Sequence, residues 1–422
     1  MNQTTNNKVA IVNLGTELTQ GFTLNTNAHW IAGRLRDMGF DVSYQITLPD
    51  DASVWTVTWE MIRKADASTV ILSGGLGPTE DDKTRDLIAT TFNAPLEYIA
   101  EWEKPIKAYF AKKGKAYPAS NKIQACFPQG SKVLDNPIGT APGFSISKDG
   151  ITLFAVPGVP REAREMFDRH VAPYLSTKHP SKFFSRELRL SGISESDMGE
   201  RFSKVNFHEG TSWSSLPVKD SIIFRTYSHE SAETLEKLEK QLIQALGDKD
   251  LIVSTDGKNM VETIAELLKS RKETLSTAES CTGGLIASEI VNLPGASDFF
   301  KGGAVTYWND AKRDILGVPQ EMLDQFGAVS EEVVKAMAKG ALKHYNTDWA
   351  VATSGVAGPD GGSTEKPVGF VWMAVASNRK IFAFNEKFSG DREQIRNKSV
   401  FKVLNTLRIA ILTQKSTCTK VQ

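Results

Sequence analysis

Residues 274–291, Thr-Leu-Ser-Thr-Ala-Glu-Ser-Cys-Thr-Gly-Gly-Leu-Ile-Ala-Ser-Glu-Ile-Val, decide how the last third of this chain folds. The run 274–278 reads as a strand, the small residues from Glu279 to Gly284 as a loop, and Leu285 onward as a helix. A strand that turns directly into a helix is one unit of an α/β sheet, and ligands of such sheets bind in the loops that follow the strands. This loop would lie at a helix N-terminus, where free N–H groups and the helix dipole favour a phosphate or a developing oxyanion. Gly283 and Gly284 let a ligand approach the backbone, with Glu279 and Thr282 as polar neighbours. Ser or Thr before a helix is equally an ordinary cap, so the rest of the domain has to decide.

Working outward, the domain holds one histidine, His344, on a predicted helix over 331–345. No carboxylate partner can be placed with it beside Ser280, which disfavours a Ser-His-Asp arrangement. A serine nucleophile would then need another base, and Ser-Lys pairs exist. The nearest run is Thr-Tyr-Trp-Asn-Asp-Ala-Lys at 306–312. Lys312 could act as base only if burial or a neighbouring positive charge pulled its pKa well below the usual value of about 10.4. Tyr307 could relay or orient the proton. The plain alternatives are a solvated helix lysine and a core aromatic at a strand end. Loops 354–363 and 388–392 each follow an apolar run that reads as a strand. Gly358, Asp360 and Gly361 in the first leave the backbone open to a ligand, and Arg392 in the second can grip a phosphate or carboxylate bidentately. The plain alternative for Arg392 is a helix-start arginine paired with Asp391 or Glu393. Cys281 is a rival nucleophile on chemical grounds, although we expect a small buried residue there.

The first third alternates in the same way, with strands at 9–14, 42–46 and 69–73 and helices near 28–38 and 55–63, the pattern of a parallel α/β sheet. The loop 73–86, Ser-Gly-Gly-Leu-Gly-Pro-Thr-Glu-Asp-Asp-Lys-Thr-Arg-Asp, follows the third of these strands. Gly74, Gly75 and Gly77 can wrap a phosphate, and Asp81, Asp82 and Asp86 can hold a hard divalent cation. Such a pairing suits cleavage of a pyrophosphate, because the metal neutralises phosphoryl charge and activates water. The plain alternative is that the acids merely favour a helix start. A strand at 151–156 then runs into Pro157-Gly158-Val159-Pro160-Arg161-Glu162, where the prolines end the pairing and a helix begins. Residues 177–182 are polar and contain a proline, as a linker would. Strands at 184–190 and 222–227 and helices at 196–202 and 232–246 form a small α+β module. We therefore divide the chain into domains at 1–176, 177–255 and 256–422.

Composition allows a packed, enzyme-like body of two or three domains. At 422 residues the chain exceeds what one core usually fills, and 40% apolar with 24% charged residues is ordinary for a packed protein. Lys plus Arg and Asp plus Glu both total 50, so no net positive field draws it to nucleic acid or an anionic membrane. Neither a signal peptide nor a membrane span is readable, and we expect a cytoplasmic protein. Cys126, Cys281 and Cys418 are too far apart to read as a zinc site or a disulfide framework.

Five runs in order, T-A-E-S-C-T-G-G, G-G-A-V-T-Y-W-N-D-A-K, G-A-V-S-E-E-V-V, S-G-V-A-G-P-D-G-G-S-T-E-K-P-V-G and F-S-G-D-R, resemble the CinA carboxy-terminal domain, the nicotinamide mononucleotide deamidase family. The resemblance implies amide hydrolysis to nicotinate mononucleotide and ammonia in pyridine nucleotide recycling, with no cofactor. It implies Ser280 as nucleophile, Lys312 and Tyr307 in proton transfer and Arg392 in substrate or transition-state binding. In the first domain G-T-E-L, N-T-N-A-H-W, G-G-L-G-P-T-E-D-D-K-T-R-D, S-N-K-I-Q-A, N-P-I-G-T-A-P-G-F and V-P-G-V-P-R-E resemble the molybdopterin-binding fold of the CinA amino-terminal domain. That implies hydrolysis of ADP-ribose to AMP and ribose 5-phosphate with Mg, Mn or Co, with Asn25, Asn27 and Thr84 joining the glycines at the phosphate site. Asn25 stands where the family usually has Asp, which removes one carboxylate. The middle module matches the family's KH-type domain in position and size, and a homodimer is implied. Two other readings are a non-catalytic interaction protein tied to competence or DNA damage, and a pterin-binding first domain. Residues 177–255 contain no G-x-x-G loop and no basic aromatic stripe, so nucleic acid is not an expected partner.

Overall fold

The computed structural model describes residues 8–178 and 182–414; Cys418 and most of the linker's centre, 179–181, lie outside the described residues. The chain divides into two compact units, Met1–Phe183 and Phe184–Gln422.

The first unit is built on β1 (Lys8–Leu14), β2 (Asp41–Leu48), β3 (Thr69–Ser73), β4 (Leu96–Tyr98), β5 (Cys126–Pro128), β6 (Lys132–Leu134), β7 (Gly143–Lys148) and β8 (Ile151–Val156). Six of these form one sheet in the order β2-β1-β3-β8-β7-β6, and β4 pairs with β5 apart from it. Strand periodicity of two sorts the side chains onto both faces. Ala10, Val12, Val70 and Leu72 join one core with Trp55, Trp59 and Ile62, while Val9, Ile11 and Ile71 join another with Ile31, Leu35 and Phe167. Both faces are thus covered by helices, among them Thr26–Asp37 and Ala52–Lys64. The pairs β1·β2, β1·β3 and β3·β8 are parallel as expected, but β7 and β6 run antiparallel. The reason is local: Asp149 and Gly150 both have positive φ, 51° and 80°, which closes a two-residue hairpin between β7 and β8.

The second unit carries two sheets. In its first part β9 (Phe184–Leu190), β10 (Thr211–Pro217), β11 (Ile222–Ser228) and β12 (Ile252–Ser254) form an antiparallel sheet, order β10-β11-β9-β12, packed on helices Glu195–Phe202 and Ala232–Leu246. Strands β10 and β12 were not read from sequence; β10 is a mostly exposed edge and β12 spans three residues, so neither carries a clear apolar alternation.

In its second part β13 (Leu275–Glu279), β14 (Phe300–Val305), β15 (Trp349–Gly355), β16 (Phe370–Ser377) and β17 (Ile381–Lys387) form a sheet in the order β14-β13-β15-β16-β17. The first three strands are parallel and the last two antiparallel. One face carries Trp349, Val351, Val371, Met373 and Val375 against helices Met260–Arg271 and Arg392–Thr413. The opposite face is built of alanines, Ala278, Ala350, Ala352, Ala374 and Ala376, beneath helix Glu331–Tyr345. On that helix Gly340 has no room for a side chain, because a Cβ would lie 2.0 Å from the Leu316 carbonyl oxygen. This close approach seats the helix Asn309–Leu316, which bears Lys312. The buried Arg408 joins the two parts, donating to the carbonyls of Ile252 (2.6 Å) and Asp250.

Candidate functional site

At the end of β13 the backbone N–H of Ser280 donates to the Thr353 carbonyl on β15 at 3.0 Å, which fixes the loop against the sheet. The Glu279 carboxylate turns back under the loop and accepts from Ile286 N (3.1 Å), Ala287 N (2.9 Å) and Thr282 Oγ1 (2.8 Å). Glu279 therefore satisfies the first N–H groups of helix Leu285–Val291 itself, and Thr282, also tied to Thr353 Oγ1 at 2.8 Å, is fully buried. This corrects the sequence reading on two points: both residues brace the loop from inside, and the helix N-terminus is already capped by a carboxylate. Gly283 and Gly284 have the positive φ that the turn needs, and the Gly283 N–H is taken by the Ser280 carbonyl at 3.1 Å.

On the open side of the loop, Lys312 Nζ lies 3.3 Å from Ser280 Oγ. Its other partners are the carbonyls of Thr306 (2.8 Å) and Tyr307 (3.4 Å). Lys312 is 1% exposed and, among the described residues, forms no ion pair. Burial pulls its ammonium pKa down from 10.5. The solvated-lysine alternative is thereby excluded. Ser280 is 9% exposed. Cys281 is buried as expected, and burial pushes its thiol up to about 11, the wrong direction for a thiolate nucleophile.

Tyr307 is 56% exposed, so it is not a core aromatic. Its hydroxyl accepts from Arg392 Nη2 at 3.2 Å, while Arg392 Nη1 donates to the Gly358 carbonyl at 2.7 Å. Asp391 does not pair with Arg392; it caps the helix Arg392–Thr413 reciprocally with Gln394 and so holds Arg392 at the helix start. Asp360 and Gly361 are exposed on the same loop as Gly358. Sequence reasoning missed Arg396, one helical turn after Arg392, which donates to the carbonyls of Cys281 (3.2 Å) and Thr282 (2.6 Å) and clamps the serine loop. The i, i+4 spacing was the available signal.

In the first unit, a cleft of about 520 Å³ opens at the ends of β1 and β3, lined by Asn25, Asn27, Gly74, Gly75, Gly77, Asp81 and Asp82 among others. Its carboxylates are Glu17, Asp50, Asp81, Asp82 and Glu162, and among the described residues no Lys, Arg or His lines it. Gly74, at φ 115°, leaves no space for a Cβ, which would sit 2.1 Å from the Leu14 carbonyl oxygen. Asn27 Nδ2 donates to Ser73 Oγ (3.0 Å) and the Gly158 carbonyl (2.7 Å), leaving its buried Oδ1 without a protein partner. Asn25 caps the helix Thr26–Asp37 through Ala28 N at 3.0 Å.

Three expected ligand residues are placed otherwise. Thr84 is fully buried and donates to the Gly74 carbonyl at 2.7 Å, so it supports the glycine turn from beneath. Asp82 staples the loop, accepting from Gly77 N (2.7 Å), Thr79 N (2.9 Å) and Thr79 Oγ1 (2.5 Å). Asp86 is exposed on the helix Thr84–Phe92 and is not among the residues lining the cleft. Asp81, Asp82 and Asp86 are thus not gathered around one point, and among the described residues no group of three or more His, Cys, Asp or Glu is spaced to hold a metal. Of these three aspartates, Asp81 is the one that both lines the cleft and is exposed. Arg85, given no role from sequence, is buried and holds the loop through the carbonyls of Leu76 (2.9 Å) and Gly77 (3.3 Å).

Among the described residues no helix is long and apolar enough to cross a membrane. Residues 10–177 match the probable molybdopterin binding domain, and residues 257–411 match the CinA C-terminal domain. A putative competence-damage inducible protein of Caldicellulosiruptor saccharolyticus is 38% identical over 408 residues, covering 95% of this chain and 98% of its own. The protein of the same description from Clostridium acetobutylicum is 38% identical over 412 residues, 96% and 99% of the two chains. The crystal structure of the competence/damage inducible protein CihA from Agrobacterium tumefaciens aligns at 41% identity over 37% of this chain and 98% of that one, with a TM-score of 0.35. With both domain matches in place and near full-length similarity to these relatives, the chain belongs to the CinA family.

Proposed function

We propose that the last domain hydrolyses the carboxamide of nicotinamide mononucleotide, giving nicotinate mononucleotide and ammonia. The observation that carries this reading is the buried Lys312 Nζ, 3.3 Å from Ser280 Oγ with no carboxylate paired to it among the described residues. A purely structural or scaffolding role gives no reason to bury an ammonium in this way, because an uncompensated buried charge is costly. Neutral Lys312 takes the Ser280 hydroxyl proton as Oγ attacks the amide carbon. The ammonium so formed returns the proton to the departing nitrogen, and ammonia leaves an acyl-serine. Water attacks the ester with Lys312 again as base, releasing the carboxylate and restoring Ser280. Arg392, held by Gly358 and touching Tyr307, binds the substrate phosphate or the charge that develops nearby.

For the first domain we propose a diphosphatase acting on ADP-ribose-type nucleoside diphosphates, ADP-ribose itself giving AMP and ribose 5-phosphate. Among the described residues five carboxylates and no cationic side chain line its cleft, so a diphosphate needs an imported cation to bind there. The donor set fits such a cation, because Mg is commonly held by one or two carboxylates together with substrate phosphates. Asp81 would hold it, and it would supply charge neutralisation and an activated water. The middle module we read as a KH-type packing unit, without the G-x-x-G loop that would clamp nucleic acid. The direct test supplies each substrate separately to the full chain. Ammonia from nicotinamide mononucleotide without added metal, and AMP from ADP-ribose with Mg, Mn or Co, support the two assignments; absence of either product removes that one.

A further inference from the structure

A second cavity in the first unit, of about 810 Å³, adjoins the acidic cleft, and Thr140 lines both. The divide between them is made of two motifs, N-P-I-G-T-A-P at 136–142 and V-P-G-V-P-R-E at 156–162, of which the diphosphatase reading uses only the residues that face the acidic cleft. Asn136 Nδ2 donates to Glu162 at 2.6 Å and to the Ala141 carbonyl at 3.1 Å, which pins one motif to the other. Consecutive residues of the second motif then face different cavities, Glu162 lining the acidic cleft and Arg161 the second cavity.

The second cavity has the opposite chemistry. Lys112, Lys113 and Arg161 line it, and none of the three forms an ion pair among the described residues. Its one carboxylate, Asp135, is already engaged by Arg169 (3.1 Å) and His170 (3.1 Å). Trp102 and Tyr109 supply aromatic surface, with Lys113 Nζ 4.8 Å from the Tyr109 ring centre. Cations beside aromatic rings are what a phosphate linked to a planar base requires. An acidic cleft and a basic aromatic cavity that adjoin at Thr140 can take the two halves of one ligand laid across that residue. We infer that the second cavity binds the nucleoside monophosphate half of the diphosphate substrate, with Lys112, Lys113 and Arg161 on the phosphate and Tyr109 and Trp102 against the base. The sugar-phosphate half and its cation occupy the acidic cleft. This assignment rests on the diphosphatase reading.

The test is equilibrium dialysis of the full chain against AMP without divalent cation, with ribose 5-phosphate as the comparison ligand. AMP should bind the wild type, and both Arg161→Ala and the double substitution Lys112→Ala/Lys113→Ala should weaken it roughly tenfold, the value of one lost charge-assisted hydrogen bond. Ribose 5-phosphate, dialysed with Mg because the acidic cleft needs a cation to hold a phosphate, should bind equally to all three proteins, and Arg161→Lys should recover part of the AMP affinity. These side chains are exposed, so the variants should fold normally. No AMP binding by the wild type, or equal AMP binding by wild type and both variants, overturns the inference. Failure of the diphosphatase reading looks different: AMP binding would still depend on Arg161 while ADP-ribose stayed intact with every metal.

Discussion

The two candidate sites solve the charge problem of hydrolysis in opposite ways. The serine site of the last domain buries one lysine and pairs it with three oxygen acceptors and no carboxylate among the described residues, the arrangement from which the proposed reaction would activate a nucleophile from within. Among the described residues the cleft of the first domain is lined by five carboxylates with no cationic side chain, so the diphosphate proposed for it would need imported positive charge. Both follow a parallel strand with a glycine turn, yet the positions below the turn differ. Under the serine loop a buried glutamate caps the helix, whereas under the other loop Thr84 and Arg85 brace the glycines. A shared α/β layout therefore fixes where a site lies, and the side chains beneath and beside the turn fix what it can do.

The sharpest way to break the contrast is to neutralise the lysine. Lys312→Met keeps the packing volume and should lower ammonia release from nicotinamide mononucleotide by about 10⁴-fold, in line with loss of a catalytic base. AMP release from ADP-ribose should not change. The converse experiment removes metal: a chelator should abolish AMP release and leave ammonia release intact, and Asp81→Asn should reduce AMP release by about a hundredfold. If both activities fell together in either experiment, the independence of the two sites would be refuted.

Titration gives a finer test. Burial lowers the Lys312 pKa, so kcat/KM for the amide should rise with pH through a value below 10.5, as the ammonium becomes a free base. The same shift has a stability counterpart. Between the lowered value and 10.5 the unfolded chain binds the extra proton, so stability should increase with pH across that window. Lys312→Met should flatten both dependences, as read by rate and by urea unfolding. The smallest effect is expected at Gly340, where an alanine Cβ would meet the Leu316 carbonyl. Gly340→Ala should cost about 1–3 kcal/mol of overpacking, seen in urea unfolding. It should also lower the amide rate by shifting the helix that carries Lys312, while AMP release is unchanged.

Much of this was legible in the sequence because local rules and tertiary structure agree. The strands at 69–73 and 151–156 and the helix at 232–246 lie where apolar periodicity puts them, since burial on both faces or one stripe leaves a strong pattern. Ser280, Lys312, Tyr307 and Arg392 are brought together. The antiparallel strand β7 was missed although Asp149-Gly150 is a strong hairpin signal, and β10 was missed because an exposed edge strand carries little pattern. The sequence marks Glu279, Thr282, Thr84 and Asp82 as ligand-side groups, whereas the fold commits Glu279, Thr282 and Thr84 to hydrogen bonds inside their loops, and Asp82, although it lines the cleft, staples its own loop. Sequence shows that a polar residue is near a site, whereas only the fold shows which way it turns. Arg396 and Arg85 were overlooked for the same reason: each works by reaching loop carbonyls distant in sequence or hidden beneath a turn.

The central claim is that Ser280, raised to reactivity by Lys312, cuts the amide while its neighbour Cys281 does not. Ammonia release from nicotinamide mononucleotide by wild type, Ser280→Ala and Cys281→Ala tests it most directly. The account predicts steady release by wild type and Cys281→Ala and a loss of at least about 10³-fold in Ser280→Ala. No ammonia from the wild type, or activity that survives in Ser280→Ala and is lost in Cys281→Ala, would contradict it.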